Sequence, residues 1–375
     1  MPMKILHISK YYYPYIGGVE NICKYLVERM PQHKTSVVCF SDSKEDSVDD
    51  VNGHTIYRAG SFANIARQSL SMSYGKVLKA ALEMEQPDVI QYHWANPFPA
   101  VFLRMMISKE TKLVVHWHMD IIRQKYLYWV VKPWEKWLVR RADRIVVTSP
   151  QYREGSKPLQ KVKHKVSIVP NCIEEDKLIL RDGDEVLIAA IKAKYGHKPI
   201  IFFMGRHIQY KGLPHLINAE RHMTTDAVIV IGGSGPLTEE LKSKARYSNR
   251  IFFTGRLSED ELRCHLYAAS VFAFPSITKN EAFGVALAEA MYCYTPAVTF
   301  TIEGSGVNWV NLNGVTGIEV PQGDEMDMQY ANAIDKLITD QTLNQEYSEN
   351  AHKRVVENFM TKHMISAMEN VYQEL

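Results

Sequence analysis

The sequence is poor in cysteine, and the few it has are not arranged for a task. Cys23, Cys39, Cys172, Cys264 and Cys293 are odd in number, scattered and never spaced C-x-x-C. That excludes a disulfide framework or a zinc ribbon and predicts reduced, packed thiols. No window approaches the run of about 18 apolar residues that a membrane-spanning helix needs. No basic start followed by an apolar run and a small-residue cleavage site opens the chain, so no secretory signal is expected. Low-complexity tracts and short repeats are missing as well. The glycine-rich turns never fall into G-x-G-x-x-G, which argues against a dinucleotide fingerprint. No nucleic-acid motif is readable, so no nucleic-acid partner is expected. What is present is an ordinary globular composition, 46% hydrophobic and 23% charged, over 375 residues, a length suited to two domains.

The net charge of +2 hides an asymmetry. Residues 1–170 carry 25 Lys+Arg against 15 Asp+Glu, a net of +10, whereas residues 171–375 carry 19 against 27, a net of −8. Two domains with different partners would explain it, the basic one facing an anionic surface such as a membrane or a pyrophosphate-bearing lipid. Chance variation between domains would also explain it.

Short β-branched and aromatic runs alternate with helical patterns. "KILHIS", "SVVCF", "HTIYRA", "DVIQYH", "KLVVHWH", "RIVVTS" and "KVSIVP" read as strands of a first set. "PIIFFMG", "AVIVIGG", "IFFTG", "VFAFPS", "AVTF" and "GIEV" read as a second. Strands separated by helices predict parallel sheets, so the fold class is α/β with two Rossmann-like, doubly wound domains facing a central cleft. The expected bounds are 1–171 for the first domain, 172–196 for a hinge and linker, and 197–357 for the second. Three polar helical patterns run from about 325 onward, and the last, about 358–375, is expected to pack back on the first domain. Ligands of such sheets bind beyond the carboxyl ends of the strands, so the turn after each strand is where site residues are expected.

After the first strand, Gly17 and Gly18 precede a helix, a turn where backbone N–H groups can meet an anion, or simply a tight turn. After "KLVVHW" come His118 and, two residues on, Asp120. His118 can serve as donor, acid or base, or be packed in a loop. His116 and His118 share a strand face, but no third ligand has recognisable spacing, so no metal is expected. "GRHIQYKG" brackets a loop with Arg206 and Lys211, a pair suited to a pyrophosphate. "GGSGP" sets Gly233 before a helix opened by Pro236, and "GRLSEDEL" sets Arg256 and Leu257 before one capped by Ser258. In "KNEAFGVALAEAM" the helix is expected to start near Gly284, with Glu281 in the loop before free N–H groups at Phe283, Gly284 and Val285. Glu289 lies on an otherwise apolar helix and needs a partner if buried; a sugar hydroxyl would serve.

The ordered set resembles the family-4 retaining glycosyltransferases of the two-Rossmann (GT-B) architecture over nearly the whole chain. The specific match is Glu281-Ala-Phe-Gly-x4-Glu289, supported in order by Gly17-Gly18, His118, "VPN" at 169–171, Arg206 with Lys211, "GGSGP" and "GVTGIEVPQGD". Cys172 in place of the usual glycine after Pro-Asn, and "EGSGVNWVNLNGVTG" in place of the commoner turn, depart from the pattern. By matching position, the resemblance implies that Arg206 and Lys211 hold the diphosphate of a nucleotide-sugar. Phe283, Gly284 and Val285 would offer backbone N–H groups, Glu281 would bind donor-sugar hydroxyls, Glu289 the ribose, and Arg256 and Leu257 the base. Gly17 and Gly18 would abut phosphate and acceptor, and His118 would touch the sugar; Asp120 and Gly233 are grouped with the substrate-binding set. Arg206, Lys211, Glu281 and His118 are the candidate catalytic residues. No cofactor is expected. The phosphorylases of similar architecture need a cofactor lysine and a longer chain.

The resemblance implies retention through front-face attack; the leaving diphosphate is expected to be stabilised by cations and a helix N-terminus, with no metal required. The linker sequence Asp182-Gly183-Asp184 formally reads D-x-D but is taken as a turn. The departures resemble the subgroup that builds bacterial surface polysaccharides, which implies mannose from GDP-mannose and a lipid-linked saccharide acceptor in O-antigen or lipopolysaccharide assembly. UDP-glucose, UDP-galactose or a UDP-N-acetylhexosamine is the alternative donor, and a non-catalytic sugar-nucleotide binder the lesser one. "RQKYLYWVVKPWEKWLVRR", 123–141, has six basic residues, one acid and three tryptophans. It can lie on an anionic membrane surface or pack its aromatics in the core. A cytoplasmic protein, peripheral on the inner face of the membrane, is the expectation.

Overall fold

The computed structural model describes residues 2–15, 17–65, 68–121 and 125–375, the side chains of 125–127 excepted. The chain divides into two compact units, Met1–Pro170 with Met364–Leu375, and Asn171–His363.

In the first unit the strands are β1 (Lys4–Ile8), β2 (Lys34–Phe40), β3 (Ser47–Val51), β4 (His54–Ala59), a separate hairpin β5 (Ala63–Ile65) and β6 (Gln68–Leu70), then β7 (Val89–Trp94), β8 (Lys112–Trp117), β9 (Arg144–Val147) and β10 (Val166–Ile168). The eight-stranded sheet runs β10-β9-β8-β7-β1-β2-β4-β3, parallel except for β3 on β4. Its central strands are buried throughout and accordingly read as near-continuous apolar runs. β3, "SVDDV", carries two aspartates and no alternation; it survives because an edge strand can be polar and exposed. The last helix, Thr361–Gln373, buries Met364, Met368, Val371 and Tyr372 at helical spacing. It belongs to the first unit from Met364 on, where Glu369 accepts from Gln32 and pairs with His33.

In the second unit the strands are β11 (Ile200–Met204), β12 (Val228–Gly232), β13 (Ile251–Gly255), β14 (Val271–Phe274), β15 (Ala297–Phe300) and β16 (Gly317–Val320), all parallel, in the order β13-β12-β11-β14-β15-β16. Alternate residues face opposite layers. Ile201, Phe203, Ile229 and Ile231 enter one apolar cluster, and Ile200, Phe202, Val228 and Val230 the other.

Residues 172–196 correct the linker expectation, because they are integral to the second unit. The helix Asp184–Lys194 starts after Gly183, and both Asp184 oxygens accept from Arg263 at 2.7 Å. This buried ion pair, with the guanidinium holding the Asp184 carboxyl well below the usual range, ties the segment to the helix Glu259–Ala268. The formal D-x-D is thus a helix start whose second aspartate is already occupied.

Candidate active site

In the second sheet the chain winds outward from β11 through β12 to β13, then returns to place β14 on the other side of β11. The loops after β11 and β14 therefore diverge at the switch point, the position at which open α/β sheets take ligands. These loops are 205–212 and 275–284, the two that carry Arg206, Lys211 and Glu281. They are stitched together. Ile277 N donates to Tyr210 O at 3.0 Å, and Gly212, at φ +63°, lies so close to Pro275 that a Cβ would fall 1.9 Å from its carbonyl oxygen. Glycine is required there on both counts.

This contact brings Lys211 and Glu281 into an ion pair, each about 11% exposed at the side chain. Ser276 Oγ donates to the same Glu281 oxygen at 3.2 Å, and the Lys211 ammonium lies 4.9 Å from the Phe274 ring centroid. Burial pulls the lysine toward neutrality, but the charge and hydrogen bond of Glu281 together with Tyr210 outweigh it, so the ammonium is held above its ordinary value. Two charges taken this far out of water are stable only while each has the other. Arg206 contrasts with them. It is exposed and its guanidinium has no ion-pair partner among the described residues.

The next helix is Val285–Tyr292, with Gly284 as its N-cap at φ +92°. Leu287 N and Ala288 N donate to Gly284 O at 3.1 Å, so the N–H groups left without an intrahelical acceptor are those of Gly284, Val285 and Ala286. Phe283 contributes only backbone to the loop, since its ring is buried against Trp309 and Phe359. Glu289 is half-buried and accepts no hydrogen bond among the described residues. Burial, reinforced by Glu174 and opposed by Lys177, pushes its carboxyl up to about 7. An acceptor-rich side chain with nothing to accept from is what a bound diol would satisfy.

The turns after β12 and β13 close against the same region. A Cβ on Gly233, at φ +99°, would lie 2.0 Å from Gly205 O, so this backbone touches the Arg206 loop directly. Gly233 N donates to Gly255 O at 2.7 Å, which sets Arg256 and Leu257 one strand further on, Arg256 exposed and Leu257 packed on the core. Within the second unit, therefore, Arg206, Lys211, Gly233, Glu281 and Gly284 lie on neighbouring strand-end turns.

In the first sheet the reversal lies between β1 and β7. Gly17 caps the helix Gly18–Glu28, and a Cβ on Gly18 would meet nothing within 4 Å, so no protein atom requires its smallness. Asp120 is buried, with Oδ1 accepting from Trp117 Nε1 at 2.9 Å and from Ser156 Oγ at 2.7 Å. Its carboxylate is engaged by the protein, a packing role that the sequence did not announce. His118 is likewise buried, but among histidines. His93 from β7 and His116 from β8 flank it, and His7 from β1 lies beyond His93, all neutral, burial holding each ring below its ordinary value. His93, His116 and His118 bring a ring nitrogen each to within 4.8 Å of one another, so β7 supplies the third nitrogen that sequence spacing lacked. The rings of His118 and His93 lie within 8° of parallel and those of His118 and His116 within 14°. Lone pairs on parallel rings do not converge on a tetrahedral ion. Sequence reasoning missed His7 and His93 as site residues; the signal was a histidine near the carboxyl end of each of two buried strands, "KILHI" and "VIQYHW".

The basic aromatic stretch forms the helix Lys125–Arg141, with residues 123 and 124 outside the described ones. Leu138 and Val139 face the core, while Trp129 and Val130 are about 70% exposed. Trp129, Lys132, Lys136, Trp137 and Arg140, with Arg104 from the preceding helix, line a surface groove of about 490 Å³. No helix among the described residues is long and apolar enough to cross a membrane.

The sequence matches two family models, Glycosyltransferase Family 4 over residues 16–177 and Glycosyl transferases group 1 over residues 186–354. It is 29% identical over 379 residues to O-antigen chain mannosyltransferase C of Escherichia coli, covering 100% of this chain and 99% of that protein. It is 28% identical to D-rhamnosyltransferase WbpZ of Pseudomonas aeruginosa over 85% of this chain and 83% of the relative. Among solved structures, the Anabaena protein HepE in complex with UDP and glucose superposes with a TM-score of 0.76 at 17% identity, covering 100% of both chains. Two Rossmann-like units with their strand-end turns, matched in order by these two models, place the chain in glycosyltransferase family 4, as an enzyme of the GT-B fold.

Proposed function

We propose that this glycosyltransferase moves mannose from GDP-mannose, with retention, to a lipid-linked saccharide during assembly of a bacterial surface polysaccharide of the O-antigen type. The observation that carries the reading is the buried Lys211–Glu281 pair at the β11/β14 switch point, with Glu289, which accepts no hydrogen bond among the described residues, on the helix that follows. Glu281, held in place by its contact with Lys211, accepts from hydroxyls of the donor sugar. The diphosphate lies along the free N–H groups at Gly284 and Val285, with Arg206 swinging onto its oxygens as charge develops on the leaving group. Glu289 takes the ribose diol. His118, Gly17 and Gly18 bear on the transferred sugar and the acceptor. The likeness to the E. coli mannosyltransferase supports mannose as the sugar moved; UDP beside glucose in HepE supports a UDP-sugar as the second reading.

Thermal unfolding with GDP, UDP or ADP separates the two. A nucleotide at about 100 times its Kd adds roughly 2.7 kcal/mol to the folded state. GDP alone is expected to stabilise; UDP alone would move the donor to a UDP-sugar. Repeating the GDP titration between pH 6 and 8 tests Glu289. With its carboxyl near 7, the ionised fraction rises through this range, so affinity is expected to rise about tenfold. Glu289→Gln should bind more weakly and show a flatter pH dependence than wild type, and the difference between the two slopes removes the nucleotide's own titration. In the unliganded protein the same raised carboxyl contributes stability below about pH 4.5, lost as pH rises through about 7.

For the acceptor side we propose peripheral contact with the inner face of the cytoplasmic membrane through the Lys132, Lys136 and Arg140 face, where Trp129 and Trp137 can enter the interface. Binding to vesicles with anionic lipid at low salt is expected to weaken about tenfold or more in Lys132→Glu/Lys136→Glu and to fall with ionic strength. Equal binding to neutral vesicles would refute it.

A further inference from the structure

The buried histidines of the first unit form a chain as well as a cluster. His93 Nδ1 lies 2.9 Å from His118 Nε2, and His7 Nδ1 lies 3.2 Å from His93 Nε2. The ring centroids are 5.2 Å and 5.5 Å apart, with planes 8° and 25° from parallel. Each centroid separation equals the N···N distance plus one ring radius at either end. The rings therefore meet edge to edge, and each gap is a hydrogen bond rather than a stack. Strand register builds this arrangement. His7 pairs with Gln91 and His93 with His116 across the parallel ladders, so these side chains share one face.

A neutral imidazole has one N–H, and each gap takes one proton. Only two arrangements then satisfy both gaps. In one, every ring carries its proton on Nδ1: His7 donates to His93, His93 donates to His118, and His118 presents Nδ1–H beyond the chain. In the other, every ring carries it on Nε2, and His118 presents a bare lone pair. The buried end decides between them. His7 Nε2 is buried without a partner. The second arrangement strands an N–H there, whereas the first leaves an unfilled lone pair, and buried orphan donors are the rarer defect. We propose that His7 and His93 are positioning residues that hold His118 as its Nδ1–H tautomer, so that it meets a hydroxyl oxygen of the transferred sugar as a hydrogen-bond donor. The functional half rests on His118 touching the sugar; the tautomer does not.

The surroundings keep the chain neutral and flat. Burial holds His7 down to about 3, with His116 and His54 adding to it, and His93 feels His118, His7 and His116 in addition to its burial. His116 stacks on His118 at 4.2 Å between centroids. It is itself held by Gln91 Nε2 at 3.4 Å from its Nδ1, and Tyr372 OH donates to the Gln91 oxygen at 3.3 Å. The last helix thus reaches the same network. The Cys23 thiol lies within 4.8 Å of His7 and His93 ligand atoms and, pushed up by burial, is un-ionised.

The test is long-range ¹H–¹⁵N correlation of ¹⁵N-histidine-labelled, ligand-free protein, with signals assigned through His93→Phe and His118→Ala. Wild-type His118 is expected as a neutral Nδ1–H ring from pH 8 to 5. His93→Phe, matched in ring size, should release that tautomer or let His118 titrate near its ordinary value, and should lower kcat at least tenfold. His93→Gln, whose amide can both donate and accept, should recover part of it. A wild-type His118 protonated on Nε2, or one whose tautomer is unchanged in His93→Phe, overturns the proposal. The wild-type spectrum decides even if the variant does not fold. Normal turnover by His118→Ala would overturn the contact with sugar and leave the tautomer assignment standing, so the two failures are distinguishable.

Discussion

Arg206→Ala is expected to lower kcat by roughly 10²–10³-fold while leaving the unfolding temperature almost unchanged. The two halves of that expectation have separate causes. Arg206 is exposed and without an ion-pair partner among the described residues, so its removal breaks no ion pair of the resting protein. Its position after β11, on the turn that Gly233 touches, sets it beside the path proposed for the diphosphate. Charge grows there only as the leaving group departs, so the loss belongs to kcat and not to donor affinity alone. Arg206→Lys should recover part of the rate, because it keeps the charge and loses the planar fork. Steady-state kinetics of the three proteins checks this; near-normal turnover in Arg206→Ala would refute the assignment.

The opposite pattern is expected one loop away. Glu281→Ala leaves a buried Lys211 ammonium without its partner, at a cost of about 3–5 kcal/mol. The double variant Lys211→Met/Glu281→Met replaces both charges with apolar volume. It should recover most of that stability while turnover stays below detection, since an apolar pair can hold the loops together but can neither grip a sugar hydroxyl nor face a phosphate. Denaturant midpoints and activity measured on the same three preparations decide the matter. A double variant as unstable as Glu281→Ala would mean that the ion pair is not what holds these loops.

The two expectations show how unequally the site was legible. Arg206, Lys211, Glu281 and Glu289 could be picked out because each comes just after a strand or occupies a helix whose apolar pattern is unmistakable. By sequence alone, Arg206 and Lys211 are equal halves of one clamp. In the structure Lys211 is tied to Glu281, about 70 residues away, whereas Arg206 is exposed and has no ion-pair partner among the described residues. Asp120 groups with the substrate by its place after His118, yet Trp117 and Ser156 hold it. His7 and His93 went unremarked because an isolated histidine in an apolar strand carries no local pattern. The hydrogen bond between them joins residues 86 apart.

The amino-acid sequence by itself determined the α/β class, the central strands of both sheets and the turns at their carboxyl ends. A short β-branched or aromatic run and the 3.6-residue period of a helix are local properties, written in consecutive residues. Tertiary structure alone decided the polar edge strand β3, the place of residues 172–196 in the second unit, and which side chains face one another. Those depend on strand order and register: β14 returning beside β11 pairs Lys211 with Glu281, and β7 between β1 and β8 lines up His7, His93 and His118. Neighbourhood across a sheet is set by which strands pair, and residues 25 to 86 positions apart carry no trace of it in the order of the chain.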